Sequence, residues 1–199
     1  RKRFFFVGVK EDYEWLFPPK THSKENFVTV GDAILGDLPS LENNQSKNSY
    51  KDAPKNPLQQ TLRKDCKELT NHLSPNHPQA TIDMIRNTKP GDPMYKRFKQ
   101  RIRLNRKCPS PTQVCGGIRP QFQFGHPTQS RGLSIRERAR IQTFPDSYVF
   151  MGGITQGRVQ TGNAVPVLVA KALSKQLKRM FEGKRLKGDK GNLMQGDLF

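Results

Sequence analysis

The chain has 199 residues, and its 35 Lys and Arg against 17 Asp and Glu give a formal net charge of +18. Hydrophobic residues make up only 33%, below the roughly 45–50% apolar content of an average globular chain, which predicts a small core and long polar connections. The longest apolar run, residues 4–9, is far shorter than the ~18 residues of a membrane span, so a membrane protein is not expected.

The excess of positive charge is the strongest compositional feature. A pI of about 10.2 favours a polyanionic partner, nucleic acid first, because clustered Lys and Arg attract phosphate groups. Charge alone does not distinguish a DNA-modifying enzyme from a general nucleic-acid binder. The cysteines form no C-x-x-C pair, so neither a disulfide framework nor a metal site is predicted.

The chain opens with a basic triplet followed by the apolar run FFFVGV. An apolar run without polar alternation is typical of a strand buried on both faces, and such a strand needs neighbouring strands. No segment of similar character follows it. We therefore expect residues 1–11 to form a strand of a sheet whose other strands lie in a different part of the protein.

The next segments predict one short helix and one polar insertion. Thr29 and Asp32 have the spacing of a capping box, and Gly36 can end the helix that begins there. Residues 38–65 are rich in Asn, Gln, Ser, Lys and Pro and are predicted to be a polar connection.

Between Met94 and Lys107 half of the residues are basic, none is acidic, and apolar side chains are interleaved. Such a run is suited to DNA phosphates, which give affinity and register without sequence information. A solvated charged face is the alternative. The candidate DNA-binding residues of this run are Lys96, Arg97, Lys99, Arg101 and Arg103.

The last third predicts two helices and a flexible tail. Ser134 and Glu137 form a second capping box, so a helix should run from there through Gln142. Pro166 begins another helix. Its apolar face is predicted to pack into a core and consists of Val169, Leu173, Leu177, Met180 and Phe181. Residues 183–199 are predicted to be disordered.

Four segments, in this order, resemble the C-terminal half of the DNA cytosine-5 methyltransferases. Residues 1–9 resemble the eighth conserved motif, in which Gln-x-Arg-x-Arg precedes a strand. Residues 29–39 are similar to the connection into the target-recognition region. Residues 126–146 resemble the ninth motif, and residues 161–166 (TGNAVP) resemble the tenth.

The resemblance implies an α/β fold, in which part of a Rossmann-like S-adenosylmethionine-dependent methyltransferase domain joins a smaller, irregular, β-rich target-recognition domain. Residues 1–11 would supply a strand of the catalytic domain and residues 12–130 the recognition region. Residues 131–182 would return to the catalytic domain, and residues 183–199 would be the tail.

The implied activity transfers a methyl group from S-adenosylmethionine to carbon 5 of a cytosine flipped out of a specific duplex site. The spacing of Arg1 and Arg3 puts both on one side of a strand. By resemblance, Arg3 contacts the cytosine oxygen and Arg1 a phosphate or the catalytic loop. Also by resemblance, the cofactor contacts are Asn163, Ala164 and Val165.

Residues 109–121 lie where family members place their base-reading loops. Gly116 and Gly117 would let the backbone approach DNA closely. Arginine and glutamine side chains suit guanine and adenine edges in the major groove. The candidates of this kind are Arg119, Gln121 and Gln123.

Other family features are missing: the chain contains neither a Pro-Cys pair nor any G-x-G. The resemblance therefore implies the C-terminal part of an enzyme, inactive alone, whose N-terminal half carries the Pro-Cys loop with the nucleophile. Two alternatives stay open. One is a stand-alone sequence-specific DNA-binding module, and the other is a non-specific binder with a steep salt dependence.

The expected setting is a restriction-modification system in the bacterial cytoplasm, close to the nucleoid.

The last residues, Gln195 to Phe199 (QGDLF), resemble the peptide by which replication and repair proteins dock on the sliding clamp. Such a tethered peptide would bury Leu198 and Phe199 in an apolar pocket. A chance match in a disordered terminus is the alternative.

Overall fold

The computed structural model describes residues 4–8, 15–115 and 123–182. Those residues contain six helices and one short pair of strands. The helices are α1 (Val30–Ile34), α2 (Pro57–Leu62), α3 (Gln79–Asn87), α4 (Ile135–Ile141), α5 (Ile154–Asn163) and α6 (Val167–Phe181), and the strands are β1 (Ile102–Arg103) and β2 (Phe124–Gly125). No helix in the described ranges is long and apolar enough to cross a membrane.

The chain forms two compact units. The central unit comprises Val28–Ala164, and the terminal unit comprises Arg1–Phe27 together with Val165–Phe199. The sequence places the division near residue 131, with α4 and α5 in the catalytic domain. In the structure both helices belong to the same unit as the basic run.

The main core of the central unit is built by α1 and the two strands. Val30 and Ile34 on α1 are buried against Leu104 and Phe124. β1 pairs with β2 in parallel, with Ile102 opposite Phe124. A second cluster lies between α4 and α5 and contains Ile135, Ala139 and Phe150.

Both predicted capping boxes are confirmed. The Thr29 hydroxyl accepts the Asp32 N–H at 3.1 Å, and the Asp32 carboxylate accepts the Thr29 N–H at 2.9 Å. Ser134 and Glu137 make the same reciprocal pair at the start of α4. Each box satisfies two backbone donors that a helix start leaves without intrahelical partners.

The polar segment 38–65 is more ordered than its composition predicts, because it contains α2. Asn56 caps this helix by accepting the Gln59 N–H at 3.0 Å. The buried Gln59 amide donates to the Asp32 and Leu35 carbonyls, both at 2.8 Å. A glutamine with all its hydrogen bonds made can lie in a core, so polarity here does not mean exposure.

The prediction of a β-rich recognition domain is wrong for the described residues, whose strands have two residues each. Residues 4–8 are assigned to no strand. Phe4 and Phe6 are 85% and 95% exposed, so nothing in the described part of the chain covers them.

The apolar face of α6 also differs from the prediction. Val169, Leu173 and Met180 are only half-buried, and Phe181 is 68% exposed. The buried residue of this helix is Gln176. Within residues 4–8, 15–115 and 123–182, the apolar face is therefore not part of a closed core.

Candidate functional site

Buried arginines on and beside α4 hold the central unit together. The Arg140 guanidinium lies between two carboxylates, 2.6 Å from Asp37 Oδ1 and 2.6 Å from Asp146 Oδ2. The Tyr50 hydroxyl donates to Asp146 at 2.9 Å. All three charged side chains are buried, and such charges are tolerated inside a protein only when they are paired in this way.

Glu137 is the centre of a second buried network. Its carboxylate accepts both Nη atoms of Arg131, at 2.9 and 2.6 Å, and lies 3.5 Å from His126 Nε2. Burial raises the pKa of Glu137, but the charge and hydrogen bonds of Arg131 outweigh it and hold the pKa below the usual range. Nδ1 of His126 accepts the N–H groups of Thr128 and Gln129, so the proton of the neutral ring is on Nε2, facing Glu137.

Arg136 and Arg138 connect α4 to other segments of the chain by hydrogen bonds. Arg136 Nε donates to the Thr70 carbonyl at 2.9 Å, and Nη2 donates to the Tyr148 carbonyl at 2.8 Å. Arg138 Nη2 donates to the Val114 carbonyl at 3.1 Å. These guanidinium groups are buried and engaged inside the protein. The arginines of the segment that resembles the ninth motif thus stabilise the fold, and their guanidinium groups do not lie at the surface.

The tenth-motif segment is fixed directly by α4. Thr161 Oγ1 accepts Arg138 Nε at 3.0 Å, and the Thr161 carbonyl accepts Gln142 Nε2 at 2.9 Å. Gly162 lies so close to the Cys115 backbone that a side chain at position 162 would collide with it. Only glycine allows this approach.

Gly162 and Asn163 both belong to the last turn of α5. Their N–H groups therefore point back into the helix, and the helix end presents carbonyl oxygens. Asn163 is exposed, and its amide makes no hydrogen bond to any described residue. Ala164 is the C-cap of α5, and Val165 begins the second segment of the terminal unit.

The first part of the basic run forms a closed loop, here called the basic loop (residues 94–101). The Met94 N–H donates to the Arg101 carbonyl at 2.8 Å, and the Arg101 N–H donates to the Phe98 carbonyl at 2.9 Å. Three cations on this loop are exposed and make no ion pair with the rest of the described chain: Lys96, Arg97 and Lys99.

Arg103 has a different role from the predicted phosphate contact. Its Nη1 donates to the carbonyls of Ile85, Arg86 and Thr88 at 3.0–3.2 Å, and its Nε donates to the His126 carbonyl at 3.2 Å. Two of these carbonyls, those of Ile85 and Arg86, lie in the last turn of α3, where intrahelical donors run out. Arg103 therefore ties α3 to the strand pair, and we remove it from the candidate DNA contacts.

The Gln123 side chain is also hydrogen-bonded within the protein. Its Oε1 accepts the Val114 N–H at 3.0 Å, and its Nε2 donates to the Thr112 carbonyl at 2.7 Å. Both ends of the amide are used inside the protein, so it has no free donor and acceptor pair for a base edge. The other predicted contacts, Arg1, Arg3, Arg119 and Gln121, lie outside the described residues.

Gln100 is a candidate that sequence reasoning missed. It is exposed, and its amide makes no hydrogen bond within the part of the chain that the structure describes. With Lys99, Ile102 and Val114 it lines an open groove of about 400 Å³. Its position inside the basic run could have identified it from the sequence, since an amide among phosphate-binding cations is well placed to reach a base.

Several known proteins are similar to this chain. The family model described as C-5 cytosine-specific DNA methylase matches residues 1–179. The type II methyltransferase M.DdeI of Desulfomicrobium norvegicum is 32% identical over 220 residues, which cover 95% of this chain and 53% of the relative. M1.HphI of Haemophilus parahaemolyticus is 32% identical over 190 residues, covering 90% of this chain and 44% of the relative.

A plant relative and a solved structure extend the comparison. DNA (cytosine-5)-methyltransferase 1A of Oryza sativa is 30% identical over 195 residues, covering 79% of this chain and 13% of the relative. A crystal structure from E. coli, named as a prophage-encoded DNA modification methyltransferase, has a TM-score of 0.63 at 23% identity and covers 78% of this chain and 47% of that one. The chain thus spans about half the length of its bacterial relatives.

Proposed function

Because the chain belongs to the C-5 cytosine-specific DNA methylase family, we propose that it is the C-terminal, DNA-recognising part of a restriction-modification methyltransferase. The enzyme would methylate carbon 5 of a flipped cytosine in a specific duplex site. The observation that carries the proposal is the joint architecture of the ninth and tenth motifs: Arg138 and Gln142 hold Thr161, while the neighbouring Asn163 amide stays free.

The reaction needs groups that this sequence does not contain. The chain has no Pro-Cys pair to supply the nucleophile and no G-x-G loop for the cofactor. We propose that an N-terminal half supplies both and covers the exposed apolar side chains of the terminal unit, such as Phe4 and Phe6. Exposed aromatic side chains of this kind favour association with an apolar partner surface.

Complementation tests this division of labour. Transfer of a radioactive methyl group from S-adenosylmethionine to duplex DNA would be measured with this chain, with an N-terminal half that carries a Pro-Cys loop, and with both together. We expect transfer only from the mixture. Appreciable activity of this chain alone would refute the division. Sequence-selective binding without any restored transfer would favour the stand-alone DNA-binding module.

The described residues fit the methionine end of S-adenosylmethionine. The carboxyl end of α5 carries a partial negative charge, which suits the ammonium group of the cofactor. The Asn163 amide offers both a donor and an acceptor, and Ala164 and Val165 follow with backbone groups. The bound cofactor would supply the methyl group. Arg138 and Gln142 would act by keeping the end of α5 in place.

Replacement of Asn163 by Ala is expected to weaken S-adenosylmethionine binding by about tenfold, because a hydrogen bond to a charged group contributes roughly 1.5 kcal/mol. The unfolding midpoint should not change, since the side chain is exposed. Calorimetric titration of the reconstituted enzyme measures the Kd. Gln160→Ala is the matched control, because Gln160 lies on the same helix and its amide contacts only the Met151 carbonyl among the described residues. Equal Kd values for N163A and the unsubstituted protein would remove Asn163 from the cofactor site.

The DNA contacts that we propose divide into two kinds. Lys96, Arg97, Lys99 and Arg101 bind phosphates and set affinity. Gln100, Arg119 and Gln121 read base edges. At the active site, Arg3 holds the cytosine oxygen and Arg1 a phosphate or the catalytic loop. The free cations of the basic loop support the first assignment, and the family resemblance supports the others.

Gln100→Ala is expected to relax discrimination at one base pair of the site by about 1–3 kcal/mol, since a bidentate amide–base contact has that value. Gln123→Ala should instead weaken binding to all sequences alike, because it releases the Thr112–Val114 segment. Competition binding over duplexes that differ at single positions separates the two effects. Unchanged discrimination by Q100A, or a position-specific loss by Q123A, would contradict the assignment.

We place the enzyme in the bacterial cytoplasm, close to the nucleoid.

The docking peptide, Gln195 to Phe199, lies outside the described residues, and its proposed partner is the sliding clamp. Pull-down of purified clamp by the intact chain, and its loss when residues 195–199 are deleted, tests this contact. Absence of pull-down by the intact chain ends the idea.

A further inference from the structure

We propose that Phe98 is a stacking side chain of the basic loop, one that contacts a base where the duplex is opened, with Arg101 as the platform that holds it. The inference rests on the proposed function and adds to it a residue that contributes no charge. An enzyme that flips a base must open the stack, and the opening exposes base faces that an aromatic ring can cover.

Phe98 is both exposed and fixed in place. Its side chain is 42% exposed. The guanidinium carbon of Arg101 lies 4.4 Å from the Phe98 ring centroid and 5.6 Å from that of Tyr95, and the two rings meet edge to face at 6.5 Å. An exposed Phe is ordinary by itself. A Phe held by a cation and a second ring is preorganised, and it loses little conformational freedom when it binds.

Arg101 is held by ring faces instead of hydrogen-bond acceptors. Its side chain is half-buried, its guanidinium group makes no hydrogen bond to the described residues, and Nη1 is buried without a partner. Desolvation of a guanidinium group is costly, and cation–π contact offsets only part of that cost. Arg103, two residues later, has four carbonyl partners. Folding therefore uses the donors of Arg103 and leaves those of the Arg101 guanidinium without a hydrogen-bond partner among the described residues.

The surroundings of Phe98 match nucleic acid in charge. Arg97 and Lys99, its neighbours in the chain, are exposed, and Lys96 lies on the same loop. No acidic residue occurs between Met94 and Lys107. A ring flanked by cations suits opened nucleic acid, because its binding combines base stacking on aromatic side chains with positive charge along the phosphate backbone. A protein partner would need an acidic surface with an apolar pocket, and nothing in the structure calls for one.

The experiment compares two fluorescein-labelled duplexes of one sequence, one fully paired and one with a central abasic site that opens the stack. We expect the unsubstituted protein to prefer the opened duplex at least about fivefold, in line with the stacking contribution of one base. Phe98→Ala should abolish this preference and leave the salt dependence of binding unchanged. Phe98→Tyr should retain it, and Arg101→Lys, which keeps the charge without the planar group, should reduce it.

Phe17→Ala is the matched control, because Phe17 is another exposed Phe, packed edge to face on Trp15. Urea unfolding midpoints verify that each variant is folded. A preference that survives in F98A, or one that the unsubstituted protein lacks, overturns the role of Phe98. Neither of these results affects the proposed division of labour, which the methyl-transfer complementation tests separately. Absence of binding to both duplexes would overturn this inference and the proposed DNA recognition together.

Discussion

Replacement of Arg140 by Met is expected to lower the free energy of unfolding by about 3–5 kcal/mol, the usual cost of removing one partner of a buried ion pair. Arg140 lies between Asp37 and Asp146, and all three side chains are fully buried. Met fills a similar volume but leaves two buried carboxylates with reduced compensation. Urea unfolding of the purified chain measures the loss.

Lys55→Met provides the control for Arg140. Lys55 and Asp52 form an exposed pair at 3.8 Å, and such pairs contribute roughly 0–1 kcal/mol. Adding Asp146→Asn to R140M should recover part of the lost stability, because it removes one of the two carboxylate charges whose compensation is reduced. If R140M costs no more than K55M, the buried network does not stabilise the fold as the geometry implies.

Lowering the pH from 7 to 5 is expected to remove about 2 kcal/mol of stability through His126 alone. Burial, more than any neighbouring charge, lowers the pKa of His126 to about 3. The folded protein thus keeps this ring neutral, whereas the unfolded chain takes up a proton below its ordinary pKa of about 6.5. The unfolded state binds more protons in this window, so stability falls as the pH falls.

Two neighbours extend the acid sensitivity. Burial first, and then Arg158 and Arg131, lower the pKa of His77 to about 4, and its Nε2 accepts the Gly132 N–H at 3.0 Å. His77 therefore also lowers the stability of the fold as the pH falls from 7 to 5, because the unfolded chain takes up a proton that the folded protein does not. Glu137 has a lowered pKa, so its contribution is complete above its unfolded pKa and is lost only as the pH falls below about 4.5.

His126→Gln tests the sign and the size of the pH effect. The glutamine cannot take up a proton, so the slope of stability against pH between 7 and 5 should become shallower by the His126 contribution. Urea unfolding at several pH values measures the slope. His22→Gln is the control, because His22 is exposed. An unchanged slope in H126Q would show that the ring is protonated in the folded protein.

The buried hydrogen-bond networks hold in place the segments that carry the candidate binding residues. Arg138 joins α4 to Thr161 and to the Val114 carbonyl. It therefore braces the segment before Asn163 and the segment that leads toward Arg119 and Gln121. Because these contacts are buried, a change in any of them should disturb cofactor and DNA binding together. The free side chains at Asn163 and on the basic loop can contact ligands without loss of the fold.

Features that depend on a few neighbouring residues were predictable from the sequence. The capping boxes at Thr29 and Ser134 are reciprocal bonds across three residues, so their spacing alone identifies them. The family followed from the ninth and tenth motifs, whose residue order is continuous in the chain. The free cations Lys96, Arg97 and Lys99 followed from a basic run that contains no acid to pair with them.

The tertiary structure decided which polar side chains are free. Gln123, Arg103 and Gln59 have the residue types of binding or surface groups, yet they bond carbonyl or N–H groups from other segments. Arg140 pairs with Asp37 across 103 positions of the chain. Sequence reports the donors and acceptors that a side chain carries, but only the fold determines whether backbone groups or solvent meet them. That is why the sequence identified the family, while the assignment of Asn163, Phe98 and Gln100 as the available groups required the structure.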